Sequence, residues 1–64
     1  MLGTFKNFMD AYDDWNGKTR VNDNDLNVII EEKTVTIMET RTDLFEREVV
    51  AFGFYDNVLC VKVQ

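Results

Sequence analysis

Carboxylates are the most numerous groups in this sequence that are able to do acid–base chemistry. The 64 residues include twelve acidic residues, seven basic residues and no histidine, which gives a formal charge of −5 at pH 7. Asp13 and Asp14 are sequence neighbours, as are Glu31 and Glu32, so the two side chains of each pair diverge on a helix or a strand. A catalytic carboxylate needs a pocket that shifts its pKa, and a domain this small has little room for one. We therefore predict no catalytic residue and no enzymatic activity.

The loop sequence NDNDLN resembles the start of a calcium-binding loop. With Asp23 as the first position, Asp25 and Asn27 fit the third and fifth positions. The sixth position is Val28 instead of glycine, and the twelfth is Thr34 instead of a bidentate glutamate. Because both diagnostic positions fail, we predict a solvated turn, with no metal and no other cofactor.

Cys60 and the N-terminal aromatic residues are the other side chains that carry chemistry. Cys60 is the only cysteine and has no histidine to activate it, so a small packing residue is favoured over a nucleophile. Tyr12 and Trp15 are able to stack on nucleic-acid bases. At helical spacing beside Phe8 and Met9, they are favoured as core residues.

Acidic charge is the sequence feature with a bearing on function. If the end of the first helix and the loops after it lie together, seven acidic residues of the first half of the chain form one negative patch. They are Asp10, Asp13, Asp14, Asp23, Asp25, Glu31 and Glu32. Such a patch imitates a phosphate track and steers a protein toward basic grooves of nucleic-acid enzymes. The alternative is ordinary solubilising charge. Direct binding to nucleic acid is disfavoured by the net charge.

The N-terminal residues have the spacing of an amphipathic helix. Apolar and aromatic residues recur at intervals of three and four up to Trp15, which predicts a helix from about Thr4 to Trp15 with one aromatic stripe. Thr4 is the predicted N-cap, and Asn16-Gly17 is the predicted stop.

Three β-prone runs rich in Val, Ile and Thr follow this helix. They cover residues 18–22, 26–30 and 34–38. Residues 31–33 are either a turn between the last two runs or exposed positions in one longer bent strand. Residues 42–47 predict a single helical turn capped by Thr42, with Leu44 and Phe45 as lids on the core.

Residues 49–64 predict a β-hairpin. Asp56 and Asn57 tolerate positive φ and suit a two-residue turn. The pairs predicted on the core face are Phe54 with Leu59, Phe52 with Val61, and Val50 with Val63. The pairs predicted on the other face are Tyr55 with Val58, Gly53 with Cys60, Ala51 with Lys62, and Val49 with Gln64.

These elements predict one α+β domain over residues 1–64. Its N-terminal amphipathic helix packs on a three- to four-stranded antiparallel sheet that ends in the C-terminal β-hairpin. One helix covers one face of a sheet, and a domain this small gains little net stability from its own core. We therefore predict a homo-oligomer. The residues predicted at its interface are Val49, Ala51, Gly53, Tyr55, Val58, Cys60 and Lys62.

The chain also resembles a group of small proteins encoded by phages, prophages and mobile elements of Firmicutes. The stretches that carry the resemblance are the short amphipathic helix, the NGKT that follows it, the DLFEREVV segment and the YDNVLCVKV hairpin. The resemblance spans most of the chain and is clearest from Asp43 to Val63. It brings no activity and no functional residues, but it implies a mobile-element accessory protein, a class in which antagonists of host defence are frequent.

Two functions are predicted. The first is a small acidic interaction protein, cytoplasmic and without enzymatic activity, that binds and inhibits a host protein with a basic surface. The cytoplasmic prediction rests on the N-terminus, which lacks the pattern of a signal peptide, and on the lack of an apolar run long enough for a membrane span. The alternative is an oligomeric nucleic-acid-binding protein that contacts single strands through its sheet or its aromatic residues.

Overall fold

Helices cover one face of a four-stranded sheet in the computed structural model, which describes residues 2–64. The elements are α1 (Phe5–Met9), β1 (Lys18–Asp23), β2 (Val28–Lys33), α2 (Thr34–Thr40), β3 (Val49–Tyr55) and β4 (Val58–Val63). Short 3₁₀ turns cover Asp10–Tyr12 and Thr42–Leu44. The α+β class is as predicted. Within residues 2–64, neither α-helix has the length and apolar character needed to cross a membrane.

The sheet is mixed, whereas the sequence predicted an antiparallel one. The strand order is β2-β1-β4-β3, with antiparallel pairing of β1 with β2 and of β3 with β4, and parallel pairing of β1 with β4. Parallel strands need a long crossover connection. The path from β1 to β4 includes a helix and a second hairpin, so β4 returns beside β1 in the same direction.

The N-terminal helix is shorter than predicted. Thr4 is confirmed as its N-cap, because the Asn7 amide donates to Thr4 Oγ1 at 3.2 Å. The α-helix ends at Met9, and its C-cap Asp10 begins the 3₁₀ turn over Asp10–Tyr12. Gly17 does not supply a left-handed stop. Instead, a Cβ at Gly17 would lie 2.3 Å from Cζ2 of Trp15, so the glycine makes room for the indole ring.

Residues 34–38 were predicted as a strand, and this prediction is wrong because they begin α2. The β-branched side chains favour a strand only weakly, and tertiary contacts override them. Thr34 and Ile37 are buried and Met38 packs on the core, a spacing of three and four that fits a helix. Residues 31–33 belong to β2, so they are exposed strand positions and not a turn.

The C-terminal hairpin has the predicted turn, with φ of 54° at Asp56 and 63° at Asn57. The predicted register is confirmed for the five pairs nearest the turn. At the far end, a β-bulge between Val49 and Ala51 sets Val49 opposite Val63. The predicted pairs of Val50 with Val63 and of Val49 with Gln64 are therefore wrong, because the bulge inserts one unpaired residue.

The core lies between the sheet and the helices. Its buried apolar side chains are Phe5, Met9, Val21, Ile37, Leu44, Val49, Leu59, Val61 and Val63. Leu44 is buried and Phe45 packs on this cluster, as predicted. The 3₁₀ turn over Thr42–Leu44 has no side-chain cap, so the predicted cap at Thr42 is wrong.

Phe52 and Phe54 were predicted as core residues, but they are 48% and 51% exposed. Both lie on the edge strand β3, where they are covered from one side by the aromatic stripe. The Phe52 ring centroid is 4.9 Å from that of Phe8, and the Phe54 centroid is 5.3 Å from that of Trp15. The aromatic stripe therefore packs on the predicted sheet face, at the edge of the sheet.

Two buried hydroxyls join the sheet to the start of α2. Thr19 Oγ1 and Thr34 Oγ1 are 2.7 Å apart. Because Thr34 Oγ1 donates its proton to the Gly17 carbonyl at 2.9 Å, the Thr19 hydroxyl is the donor between the two threonines. The chain of donors therefore runs from Thr19 through Thr34 to Gly17.

Because of this order of donors, we expect two isosteric substitutions to lower the unfolding free energy by different amounts. Thr34→Val leaves the buried Thr19 donor unpaired and is expected to cost about 1–3 kcal/mol of unfolding free energy. Thr19→Val leaves the Thr34 donor satisfied at Gly17 and is expected to cost about 1 kcal/mol or less. Urea denaturation of both variants measures the difference. A larger loss for Thr19→Val would contradict the assigned direction.

We expect truncation of the buried Phe5 to cost more unfolding free energy than truncation of the half-exposed Phe52. Phe5 is 0% exposed, so Phe5→Ala is expected to cost about 3–5 kcal/mol. Phe52 is half exposed, so Phe52→Ala is expected to cost about 1–2 kcal/mol. Thermal or urea unfolding distinguishes these values, and equal losses would mean that Phe52 is a core residue after all.

Candidate interaction surfaces

The alternation of side chains along the strands separates two faces of the sheet. The helical face carries buried Thr19, Val21 and Asp23 from β1 and buried Leu59, Val61 and Val63 from β4. We call the opposite side the open face. Its residues, from the register, are Lys18, Arg20, Asn22, Ile29, Glu31, Lys33, Ala51, Gly53, Tyr55, Val58, Cys60 and Lys62.

Basic residues are concentrated on the open face. Four of the seven basic residues of the chain lie on this face: Lys18, Arg20, Lys33 and Lys62. Among residues 2–64, Glu31 is the one acidic residue in a strand whose position is on the open face. It lies 2.6 Å from Arg20, and this contact raises the pKa of the guanidinium, which stays protonated. The open face is therefore locally positive on a protein of negative net charge.

A shallow groove of about 400 Å³ crosses the open face. Tyr55, which is 66% exposed, lies on one side of the groove, and Ile29, which is 62% exposed, lies on the other. Cys60 and Ala51 line it between them, with Arg20 among its polar residues. Small residues at its centre and cations around it make the groove suitable for binding by charge and by stacking on Tyr55.

A second groove, of about 350 Å³, lies between the α1 segment and α2 on the helical side. We call it the helical groove. Its apolar lining residues are Met9, Tyr12, Trp15, Val35, Met38 and Phe45. Asp10 and Asp13 line it as well, together with Lys6. Lys6 Nζ is 2.6 Å from Asp10 Oδ1, which leaves Asp13 without a basic partner among the described residues.

The seven acidic residues of the predicted patch do not lie together. Asp10 and Asp13 line the helical groove and Asp14 follows them, whereas Asp25 lies beyond the other end of β1. A six-residue strand separates these ends by roughly 17–20 Å. Glu31 is on the open face, and Glu32 lies beside Thr19 on the helical side.

Asp23 was predicted in this patch, but its side chain is only 3% exposed and bound by Arg47. Arg47 Nη1 donates to Asp23 Oδ2 at 2.9 Å, and Nη2 donates to Oδ1 at 2.7 Å. The amides of Asp25 and Leu26 donate to the same carboxylate. Arg47 Nε donates to the carbonyl of Gln64 at 2.6 Å. The pair therefore joins the end of β1, the segment before β3 and the end of β4.

Of the residues predicted for self-association, Ala51, Gly53, Tyr55, Val58, Cys60 and Lys62 share the open face. Val49 does not, because the bulge turns it into the core, where it is 2% exposed. The basic residues of the open face outside the hairpin were not predicted as site residues, although the alternation of side chains in KTRV and VIIEEK places them on one face. Val35 and Met38 were not predicted either, because residues 34–38 were predicted as a strand.

Comparisons with protein-family models, with curated proteins and with solved structures found no match for this chain. Its surfaces are therefore the basis for a functional proposal. Two of them are able to bind macromolecules by charge together with apolar contact: the locally positive open face and the helical groove with its acidic rim.

We expect acid to destabilise the protein through Asp23. The hydrogen bonds from Arg47, followed by those from the loop amides, hold the pKa of the Asp23 carboxyl below its usual value. Its stabilising contribution is therefore complete above the unfolded pKa of about 3.9 and declines as the pH falls toward the folded pKa. Urea midpoints measured between pH 7 and pH 2 should fall in this acid range.

The matched variants are Asp23→Asn and Asp25→Asn. Asp23→Asn is expected to lower stability at pH 7 and to flatten the acid dependence. The Asp25 side chain is 76% exposed, so Asp25→Asn is expected to leave the stability at pH 7 and its acid dependence nearly unchanged. An acid dependence that survives in Asp23→Asn would assign the effect to another carboxyl.

Proposed function

We propose that this chain is a small interaction protein without enzymatic activity, which binds a basic surface of a host protein through the helical groove and inhibits it in the cytoplasm. The proposed origin, a phage or mobile element of Firmicutes, rests on the sequence resemblance described above. The observation that carries the binding proposal is the combination of an apolar floor with an acidic rim in one groove.

The charge balance of the helical side supports a basic partner. Each of its three basic residues is already within 4 Å of a carboxylate: Lys6 with Asp10, Arg41 with Asp43, and Arg47 with Asp23. Asp13, Asp14, Glu32, Glu39 and Glu46 have no such partner among the described residues. The helical side therefore carries uncompensated negative charge, which attracts a basic surface and speeds its association.

The floor of the helical groove supports contact as well as attraction. Val35 is 57% exposed, and Met38 and Trp15 are partly buried beside it. Methionine side chains adapt to the shape of an apolar partner. A groove of about 350 Å³ is large enough to receive one or two apolar side chains of a bound protein. A partner segment that presents apolar anchors flanked by Lys or Arg fits this surface.

Binding of single-stranded nucleic acid on the open face is the second candidate. The specific observation in its favour is that four of the seven basic residues lie there, around the exposed ring of Tyr55. Cations that follow a phosphate backbone and an aromatic ring that stacks on bases are the usual elements of such a site. The charge on the helical side opposes this function at long range.

We expect Asp13→Lys to weaken capture of the partner protein. The partner is obtained by affinity capture from a Firmicute lysate, with and without nuclease, and its binding to each variant is then measured. Removal of the acidic rim should lower the association rate about three- to tenfold at low salt, and less at high salt. Asp25→Lys makes the same change of charge at the far end of β1 and should bind as the wild type does.

Equal loss for Asp13→Lys and Asp25→Lys would contradict a role for the helical groove and leave only a net-charge effect. Loss of all bound material on nuclease treatment, with titration of a thymidine oligonucleotide weakened by Lys62→Glu and not by Asp13→Lys, would replace the first function by the second.

A further inference from the structure

The two edges of the sheet differ in how they are protected. A free strand edge exposes unpaired amide and carbonyl groups, and proteins block such edges with charged residues, proline or a covering segment. The edge strand β2 has the sequence VIIEEK, with three charged residues among six. The edge strand β3 has the sequence VVAFGFY, with no charged residue and no proline. Only β3 is therefore open to pairing with another strand.

The N-terminal segment covers the first part of the β3 edge. Thr4 pairs with Glu48 in an antiparallel bridge, and the Val49 amide donates to the Gly3 carbonyl at 2.9 Å. The bulge follows at Val50. Residues 51–55 remain without a strand on their outer side among the described residues. The centre of this free stretch is Gly53.

The register of the hairpin determines which groups point outward. In a hairpin closed by a two-residue turn, the pair that flanks the turn exchanges hydrogen bonds, and bonded pairs then alternate with non-bonded pairs. Tyr55 and Val58 flank the turn, so Tyr55 and Gly53 bond to β4. Phe52 and Phe54 therefore direct their amide and carbonyl groups away from β4, where no strand within residues 2–64 pairs with them.

We infer that this chain forms a two-fold homodimer in which β3 pairs antiparallel with β3 of a second copy, about an axis at Gly53. This register sets Phe52 of one copy opposite Phe54 of the other, so that each satisfies the outward backbone groups of its counterpart. It also brings together two sets of half-exposed aromatic rings on the helical face. On the open face, Tyr55 lies opposite Ala51 of the second copy, where a small side chain leaves room for the ring.

The surface at this edge is sufficient for a weak to moderate dimer. An aromatic side chain buries roughly 150–250 Å². Phe52, Phe54 and Tyr55 are 48%, 51% and 66% exposed, so together they offer on the order of 300 Å² per copy. This is more than a third of the ~800 Å² that each partner contributes to a standard interface. The partly buried rings of Phe8, Tyr12 and Trp15 adjoin it.

Charge argues for pairing through the edge and against packing of one open face on another. A face-to-face dimer would bring Lys18, Arg20, Lys33 and Lys62 toward the same cations of the second copy. Like charges opposed across an interface are costly. Pairing through β3 places no charged strand residue at the seam, because β3 has none.

The first test is the oligomeric state of strand variants by sedimentation equilibrium. The wild type should be dimeric at about 50 µM, as expected for a micromolar dissociation constant. Phe54→Lys places a charge at the seam and should raise that constant about tenfold or more. Ile29→Lys adds the same charge to a 62% exposed residue at the β2 edge and should leave the dimer intact. Circular dichroism checks that each variant is folded.

The second test locates the axis by cross-linking and does not depend on Phe54→Lys being folded. In a Cys60→Ser background, Gly53→Cys sets two thiols across the axis in a non-bonded pair with Cα atoms about 4.5 Å apart, which suits a disulfide. A Cβ at Gly53 meets the Tyr55 ring at 3.0 Å, a side chain that is able to move. Oxidation should join Gly53→Cys copies rapidly and Ile29→Cys copies slowly.

Three results would overturn the inference. They are a monomeric wild type at this concentration, a dimer that Ile29→Lys disrupts and Phe54→Lys does not, and cross-linking at Gly53→Cys no faster than at Ile29→Cys.

Discussion

The parallel contact between β1 and β4 is the constraint on which the other features depend. It aligns Thr19, Val21 and Asp23 with Leu59, Val61 and Val63 on one face, and these six buried side chains form the floor on which the helices pack. The residues between them are forced to the opposite face by the alternation of a strand. That face receives Lys18, Arg20 and Lys62 because of their positions in the sequence, and no second layer formed by residues 2–64 covers them. Packing on one side thus generates the charged surface on the other.

The net charge of this protein does not predict the local charge that a binding partner encounters on each of its surfaces. A formal charge of −5 suggests uniform repulsion of anions, yet the open face is locally positive. The difference arises because, within residues 2–64, nine of the twelve acidic residues lie outside the four strands, whereas four of the seven basic residues lie in strands at positions of the open face. Within a Debye length of roughly 8 Å at physiological salt, a partner senses the local surface more than the distant one. The two sides of the molecule therefore favour partners of opposite charge.

Local patterns predicted local structure well. The Thr4 cap, the Asp56-Asn57 turn and most of the hairpin register follow from residue chemistry within a few positions, and the structure has all three. Strand order and the parallel pair depend on contacts between distant segments, which no window of sequence contains. The prediction of a strand over residues 34–38 was wrong because burial of Ile37 in the same core cluster as Leu44 overrides a strand preference. The exposure of Phe52 depends on β3 being an edge, which is again a matter of strand order.

The position of β4 in the sheet has a consequence for folding during synthesis. β4 follows the other three strands in the sequence, yet it lies inside the sheet, between β1 and β3. During synthesis, β1 and β2 emerge as a hairpin of two strands, which is at best marginally stable alone. The core is completed only when β4 has left the ribosome, so folding of the described residues is expected to wait for synthesis of this strand. Until then its aromatic segments remain exposed to chaperones and proteases.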